Sequence, residues 1–220
     1  MTDQVAKAAL RSRLLAARSA RPRSDRTADE LALARHASEL TALAIRGADP
    51  ASRRDPSAPG PTIAAFLPVG TEPPITPLLD ALARDGGASI LTPVLTADGD
   101  LDWAIYLPGA AVSAGLRGTV APDGPRLGVG ALGQADLVLV PALAVDRLGA
   151  RLGRGGGSYD RALVRVRASV LVLAVVHDDE LLDGVRDAVP VEPHDRAVDG
   201  AVTPRGVALF DPEFEPDQAS

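Results

Sequence analysis

The segment Arg151-Leu-Gly-Arg-Gly-Gly-Gly-Ser-Tyr-Asp-Arg161 concentrates more potential chemistry than any other part of the chain. Glycines let backbone N–H groups converge on an anion, and the start of a following helix adds the positive end of its dipole. Gly155, Gly156 and Gly157, flanked by Arg151, Arg154 and Arg161, therefore read as a cradle for a polyphosphate. The segment is not a Walker A loop, because no Gly-Lys-Ser/Thr follows, and its spacing is not that of a dinucleotide fingerprint. A tight strand-to-helix connection is the plainer use of the same glycines.

The carboxylates come next. Asp160 sits one residue into the predicted helix, where it either stabilises the first turn or, beside a polyphosphate, helps to hold Mg2+, which takes one or two protein carboxylates. Asp195 in VEPHDRAVDG is the second candidate, with Asp199 competing on composition. Glu72 in FLPVGTEPPITPLL follows a predicted strand; it is either a loop charge or an acceptor for a paired N–H and N–H2 edge such as that of a pterin. His177 and His194 lack a nucleophile elbow of the Gly-x-Ser-x-Gly kind and a second histidine at helical spacing, so polar strand-end roles are expected of them. His36 is expected on a helix surface. Lys7 is the single lysine among 23 basic residues.

The elements that must position these groups follow from periodicity. Val5 to about Ala20 reads as a helix with Leu10, Leu14 and Ala17 on one face and Lys7, Arg11 and Arg18 on the other. A second helix is predicted after Thr27, where Thr27-x-x-Glu30 has capping-box form and Leu33, Ala37, Leu40 and Ala44 make a stripe. Residues 47–61, GADPASRRDPSAPGP, have loop composition. Beyond them TIAAFL, ASILTPVL, LDWAIYL, DLVLVPALAV and SVLVLAVVH read as strands, with PITPLLDALARD, YDRALVRVRA and DDELLDGVRDAV as helices. Fully apolar strand runs suit a sheet covered on both faces. The expected architecture is a three-layer α/β domain with a mostly parallel sheet and some antiparallel pairing, led in by two N-terminal helices.

Composition bounds the function. With 220 residues, 46% hydrophobic and 24% charged, the chain is expected to form one globular domain over 1–220, with a tail at 211–220. The absence of cysteine excludes disulfides, thiolate nucleophiles and iron–sulfur clusters. A net charge of -6 argues against a nucleic-acid partner. The longest apolar runs, LVLVPALAV and ASVLVLAVV, fall short of the roughly 20 residues that span a bilayer, and no apolar signal core opens the chain. A soluble, cytoplasmic protein without a membrane partner is expected.

Taken in order, these segments resemble the 5-formyltetrahydrofolate cyclo-ligase family. RLGRGGGSYDR is similar to that family's ATP-binding loop, commonly RLGRGGGYYDR, and Lys7-x-x-x-Arg11, FLPVGTEPPITPLL, LDWAIY, DLVLVPALAVDRLGARLG and VPVEPHDRAVDGAVTPRG resemble its other blocks. The resemblance implies a NagB/RpiA/CoA transferase-like fold and a monomer. It also implies ATP- and Mg2+-dependent closure of 5-formyltetrahydrofolate, with or without a polyglutamate tail, to 5,10-methenyltetrahydrofolate. ATP phosphorylates the formyl oxygen, N10 attacks, and ADP and phosphate leave; positioning and charge stabilisation suffice for this, without a protein nucleophile. Carried over, Lys7, Arg11, Arg151, Leu152, Gly153, Arg154, Gly155, Gly156, Gly157, Ser158 and Tyr159 bind ATP, with Arg154 and Tyr159 acting on the reacting groups. Asp160 and Asp195 hold magnesium, and Glu72 and Trp103 bind the folate. Two departures stand out: Ser158 replaces the first of two family tyrosines, which removes a ring contact, and Ala121-Pro122 replaces a common Glu-Pro pair near the folate entrance. A phosphosugar isomerase-like enzyme centred on His194 and Asp195, and a noncatalytic nucleotide- or folate-binding relative, are the alternative readings.

Overall fold

The computed structural model describes residues 3–48, 60–185, 187–192 and 195–211. The expectations for the 47–61 loop and the 211–220 tail therefore lie almost wholly outside the described residues.

The chain opens with three helices rather than two: α1 (Asp3–Ala20), α2 (Arg23–Ala34) and α3 (Ala37–Gly47). Thr27 does not cap a helix. Helix α2 begins after Pro22, and the Thr27 hydroxyl, one turn inside, donates to the Arg23 carbonyl. The stripe Leu33, Ala37, Leu40, Ala44 is buried as expected, but it continues across a turn at Arg35–His36 that divides α2 from α3.

Past the linker come β1 (Thr62–Ala64), α4 (Thr76–Arg84), β2 (Ser89–Leu95) and β3 (Leu101–Tyr106), then a hairpin of β4 (Val112–Ala114) and β5 (Val120–Pro122). The run DLVLVPALAV divides into β6 (Leu137–Pro141) and β7 (Ala144–Asp146); β7 leaves the main sheet to pair with β8 (Arg151–Leu152). The chain then forms α5 (Ser158–Leu163), β9 (Val172–Val175), β10 (Leu181–Leu182), β11 (Gly200–Thr203) and β12 (Gly206–Leu209). The helix expected over DDELLDGVRDAV is absent among the described residues. A single 3-10 turn at Asp178–Glu180 gives way to β10, and Gly184, at a φ of 84°, takes a backbone conformation that no helix continues.

The seven-stranded sheet has the order β12-β11-β9-β6-β1-β2-β3; its five middle strands are parallel and both edge strands antiparallel. Side-chain alternation sorts the strand residues between two cores. Ile63, Leu137, Leu139, Leu173 and Val175 pack under α2, α3 and α4, whereas Ala64, Val138, Val140, Val172 and Ala174 pack against Leu132, Ala162 and Leu163 on the opposite face. This is the three-layer arrangement expected from the sequence. From β1 the chain proceeds to β2 on one side, and from β6 to β9 on the other, so the topology switches direction between β1 and β6. In open α/β sheets the crevice beyond the strand C-termini at such a point is where ligands bind.

Candidate active site

A cavity of about 550 Å³ opens at that switch point. Its walls come from the segment after β1 (Phe66 to Glu72), the segment after β6 (Pro141 to Leu143), the β4–β5 hairpin, helix α1 and the whole loop from Arg151 to Asp160.

Helix α1 meets the cavity with its basic face. Lys7, Leu14 and Arg18 are buried, and Ala17, expected on the apolar side, is exposed. The spacing of Lys7, Arg11, Leu14 and Arg18 places them along one stripe. Each cation is held by a distant segment. Lys7 Nζ donates to Asp195 Oδ2 at 2.5 Å and Glu192 Oε2 at 2.7 Å, and the Arg11 Nε donates to the Gly153 carbonyl at 2.9 Å. Arg18 makes a two-point pair with Glu180 at 2.6 and 2.7 Å, and its Nη2 also donates to the Ala142 carbonyl at 2.6 Å. Charge-assisted hydrogen bonds outweigh the desolvation of the Lys7 ammonium and hold its pKa above the ordinary lysine value.

In the glycine-rich loop the need for glycine is explicit at two positions. Gly155 and Gly157 have φ of 92° and 66°, a region that costs other residues about 1–2 kcal/mol. At Gly155 a side chain would sit against the Arg11 guanidinium, 3.6 Å away. Helix α5 has only six residues, so its dipole is weaker than a full helix would supply, and loop amides and guanidinium groups dominate the local field. The flanking arginines divide. Arg154 lines the cavity, with Nε 3.4 Å from Glu72 Oε1, and Arg151 lines it while donating from Nη2 to Asp160 Oδ1 at 2.6 Å. Arg161 is instead directed to the Gly99 carbonyl at 2.6 Å and is not among the lining residues.

Glu72 is 6% exposed; its Oε2 accepts from the Val69 amide at 2.9 Å. Burial raises its pKa above the ordinary glutamate value, against the opposing pull of the Val69 amide, Arg154 and Arg18. Tyr159 is half-buried with its hydroxyl shielded from solvent, and burial drives that pKa well above the ordinary tyrosine value, helped by the Glu72 charge and opposed by Arg151. The Arg151 guanidinium carbon lies 6.0 Å from the centre of the Tyr159 ring.

Asp160 and Asp195 both line the cavity, whereas Asp199 does not: its carboxylate accepts from the Val172 amide at 2.7 Å at the start of β9. That geometry distinguishes Asp195 from its competitor. Leu152 and Ser158 also lie on the wall. Trp103 does not, which corrects its expected place beside the folate. It is 1% exposed in the core beneath α5, on the strand next to the cavity-lining Pro93. Composition could not reveal this, because a lone tryptophan fits a core and a ligand wall equally. His177 is buried at the end of β9, with Nδ1 2.8 Å from Asp29 Oδ2 and its backbone amide donating to Glu180. His36 precedes α3, and His194 lies outside the described residues.

Arg18, Glu192 and Arg117 also reach the cavity, though the motifs did not point to them. For Arg117 a backbone signal exists: φ of 52°, the one positive value at a non-glycine position among the described residues. On three lining residues a solvent-shielded polar atom has no protein partner: Arg18 Nη1, Arg151 Nε and Tyr159 Oη. An unsatisfied buried polar group costs about 1–3 kcal/mol, so these three shielded atoms are a local cost of packing charged and polar side chains behind the cavity wall. Among the described residues no three histidine, aspartate or glutamate side chains cluster as a metal site. Asp160 and Asp195 line the same cavity, each held by a cation, Arg151 and Lys7 respectively, and their number is that of the one or two carboxylates that Mg2+ takes beside phosphate oxygens.

The family model described as the 5-formyltetrahydrofolate cyclo-ligase family matches residues 3–204. The 5-formyltetrahydrofolate cyclo-ligase of Mycolicibacterium smegmatis is 48% identical over 159 residues, covering 69% of this chain and 78% of that protein. The enzyme of the same name from Escherichia coli K12 is 31% identical over 149 residues, 66% of this chain and 79% of its own. The NMR structure of Aquifex aeolicus 5,10-methenyltetrahydrofolate synthetase shares the fold, with a TM-score of 0.68 at 23% identity over 97% of this chain and 98% of that one. A synthetase of that name from Mycoplasma pneumoniae gives 0.64 at 17% identity, over 89% and 97% of the two chains. Matched over nearly all of its described length and close to half identical to one relative, the chain belongs to the 5-formyltetrahydrofolate cyclo-ligase family.

Proposed function

We infer that the protein closes 5-formyltetrahydrofolate to 5,10-methenyltetrahydrofolate at the expense of ATP, releasing ADP and phosphate. One observation carries this reading: a single cavity joins the Gly153–Gly157 loop and its arginines to a buried carboxylate, Glu72. A polyphosphate and an N–H-rich ring therefore find complementary chemistry in the same space.

MgATP, when bound, supplies the phosphoryl group that turns the formyl oxygen into a leaving group, so that N10 closes the ring as phosphate departs. The protein's contribution is placement and charge. The loop amides, with Arg154, Arg11, Arg151 and Lys7, face the phosphates. Arg154 also stands beside Glu72, which puts one guanidinium between the polyphosphate end of the cavity and the ring end. Asp160 and Asp195 would hold Mg2+; they are the partners of Arg151 and Lys7, so cations and carboxylates stand side by side in the pattern that a metal-bound triphosphate complements. Glu72 fixes the folate ring through its N–H edge. Tyr159, its hydroxyl kept protonated by burial, acts as a neutral donor toward a reacting oxygen. Phe66, Leu67, Leu95 and Leu101 line the same space and exclude water from it.

The test is turnover by purified protein, followed through the methenyl absorbance. The product is expected to accumulate with ATP and Mg2+ together, with one ADP formed per ring closed. Product formed without nucleotide, or ATP hydrolysed without ring closure, would refute the reading.

A further inference from the structure

Glu192 and Asp195, the two carboxylates that hold Lys7, stand on a stretch between β10 and β11 that forms no regular element. Such a stretch needs other anchors. Two of its backbone amides supply them: Val189 donates to Asp146 Oδ2 at 2.9 Å, and Val198 donates to the Gly149 carbonyl at 2.9 Å. Both acceptors belong to one tight connection, residues 146–150 between β7 and β8. At Gly149 the two backbones lie so close that a side chain would stand 2.6 Å from the Val198 carbonyl oxygen.

The connection is organised around Asp146. This residue is 1% exposed, is not among those lining the cavity and, among the described residues, forms no ion pair. Burying a carboxylate without a cation is costly, so its hydrogen bonds must compensate. Oδ1 accepts from the Leu148 and Ala150 amides at 3.1 and 2.9 Å, which closes the turn, while Oδ2 reaches the distant Val189 amide. The residue that follows the turn is Arg151, which opens the glycine-rich segment and pairs with Asp160 at 2.6 Å. One buried carboxylate therefore ties the start of that segment to the stretch that carries Asp195.

Resting on the reading of Asp160 and Asp195 as the magnesium carboxylates, we propose that Asp146 is a positioning residue that fixes Asp195 relative to Arg151 and Asp160. It touches neither ligand nor metal and acts through the Val189 amide. Groups that orient metal-binding carboxylates from behind tune the affinity of the site without entering it. Asp146→Asn separates the two tasks of the side chain. The one remaining oxygen serves the two amides of the turn, and the new N–H2 group meets the Val189 amide, donor against donor.

The experiment measures ATP binding by calorimetry, with Mg2+ and with a chelator, for the full chain, Asp146→Asn, Gly149→Ala and Leu40→Ala. Gly149→Ala disturbs the second anchor, at a φ of 86° that alanine tolerates poorly, and Leu40→Ala is a core control in α3, away from the cavity walls. Circular dichroism and thermal unfolding check that each variant folds. The strengthening of ATP binding by Mg2+ should fall about tenfold in Asp146→Asn and in Gly149→Ala, while metal-free ATP and 5-formyltetrahydrofolate affinities stay within about twofold. Leu40→Ala should keep the full magnesium effect. Hydrogen exchange needs no variant: the Val189 and Val198 amides should be protected before any ligand is added, and protection that arises only with MgATP overturns the proposal. An undiminished magnesium effect in a folded Asp146→Asn, or equal weakening of all ligands, overturns it too. If Mg2+ does not strengthen ATP binding to the unaltered protein, or Asp195→Asn leaves that effect intact, the magnesium reading itself falls, and the proposal with it.

Discussion

Replacing Glu72 with Gln exchanges one carboxylate oxygen for an N–H2 group in a site that is 6% exposed. The fold should tolerate it. The amide oxygen can still accept from the Val69 amide, now 2.9 Å from Oε2, and the ion pair with Arg154 is long at 3.4 Å and half-exposed on the arginine side, worth at most about 1 kcal/mol. Against that small loss stands the burial that raises the Glu72 pKa. A carboxylate whose folded-state pKa is raised contributes stability below its unfolded value and loses it as pH rises through the folded value, so at neutral pH the charge is a cost that Gln removes. Thermal stability of Glu72→Gln should therefore equal or exceed that of the unaltered protein at pH 7. Binding should behave oppositely. A ring N–H that met a carboxylate oxygen now meets an N–H2 group, and affinity for 5-formyltetrahydrofolate should fall by about 1–3 kcal/mol, roughly 5- to 150-fold in Kd, while ATP affinity barely changes. In the unaltered protein the same affinity should weaken on acidification, beginning above the ordinary glutamate range, and Glu72→Gln should lack that pH dependence. Calorimetry with each ligand and a thermal melt suffice. Unchanged folate affinity in a folded variant, or equal weakening of both ligands, would refute the reasoning.

Arg154→Ala should leave the fold intact, since the side chain is half-exposed, and weaken ATP binding in calorimetry by about 1.5–3 kcal/mol. Gly157→Ala should destabilise the protein by about 1–2 kcal/mol in denaturant titration, because its φ of 66° is unfavourable for alanine and the new methyl would lie 2.9 Å from Arg161 Nη1. Asp160→Asn and Asp195→Asn should each depress turnover, with partial rescue by excess Mg2+, and the double variant should cost little more than the worse single one; independence from magnesium or free additivity would leave these carboxylates as ion-pair partners only.

Much of this was legible in residue order. Alternating apolar runs are sorted between two cores by the pleat, so the parallel sheet and its covering helices followed from the pattern. The glycine-rich loop carried its own signal because left-handed backbone at Gly155 and Gly157 requires that residue type. Helix α1 misled because its buried face is charged: Lys7 and Arg18 are neutralised by Asp195 and Glu180, more than 160 positions away, and periodicity has no access to such partners. The same long-range tie holds the Asp178–Glu180 turn where a helix was predicted. Trp103 shows the converse, a residue that the resemblance assigns to the folate but whose side chain is buried in the core.

The most direct test is a crystal structure of the protein with Mg2+, a non-hydrolysable ATP analogue and 5-formyltetrahydrofolate. The triphosphate is expected against the Gly153–Gly157 amides and Arg154, with the pteridine edge on Glu72 in the same cavity. A triphosphate bound away from that loop, or a folate ring that does not touch Glu72, would contradict the account.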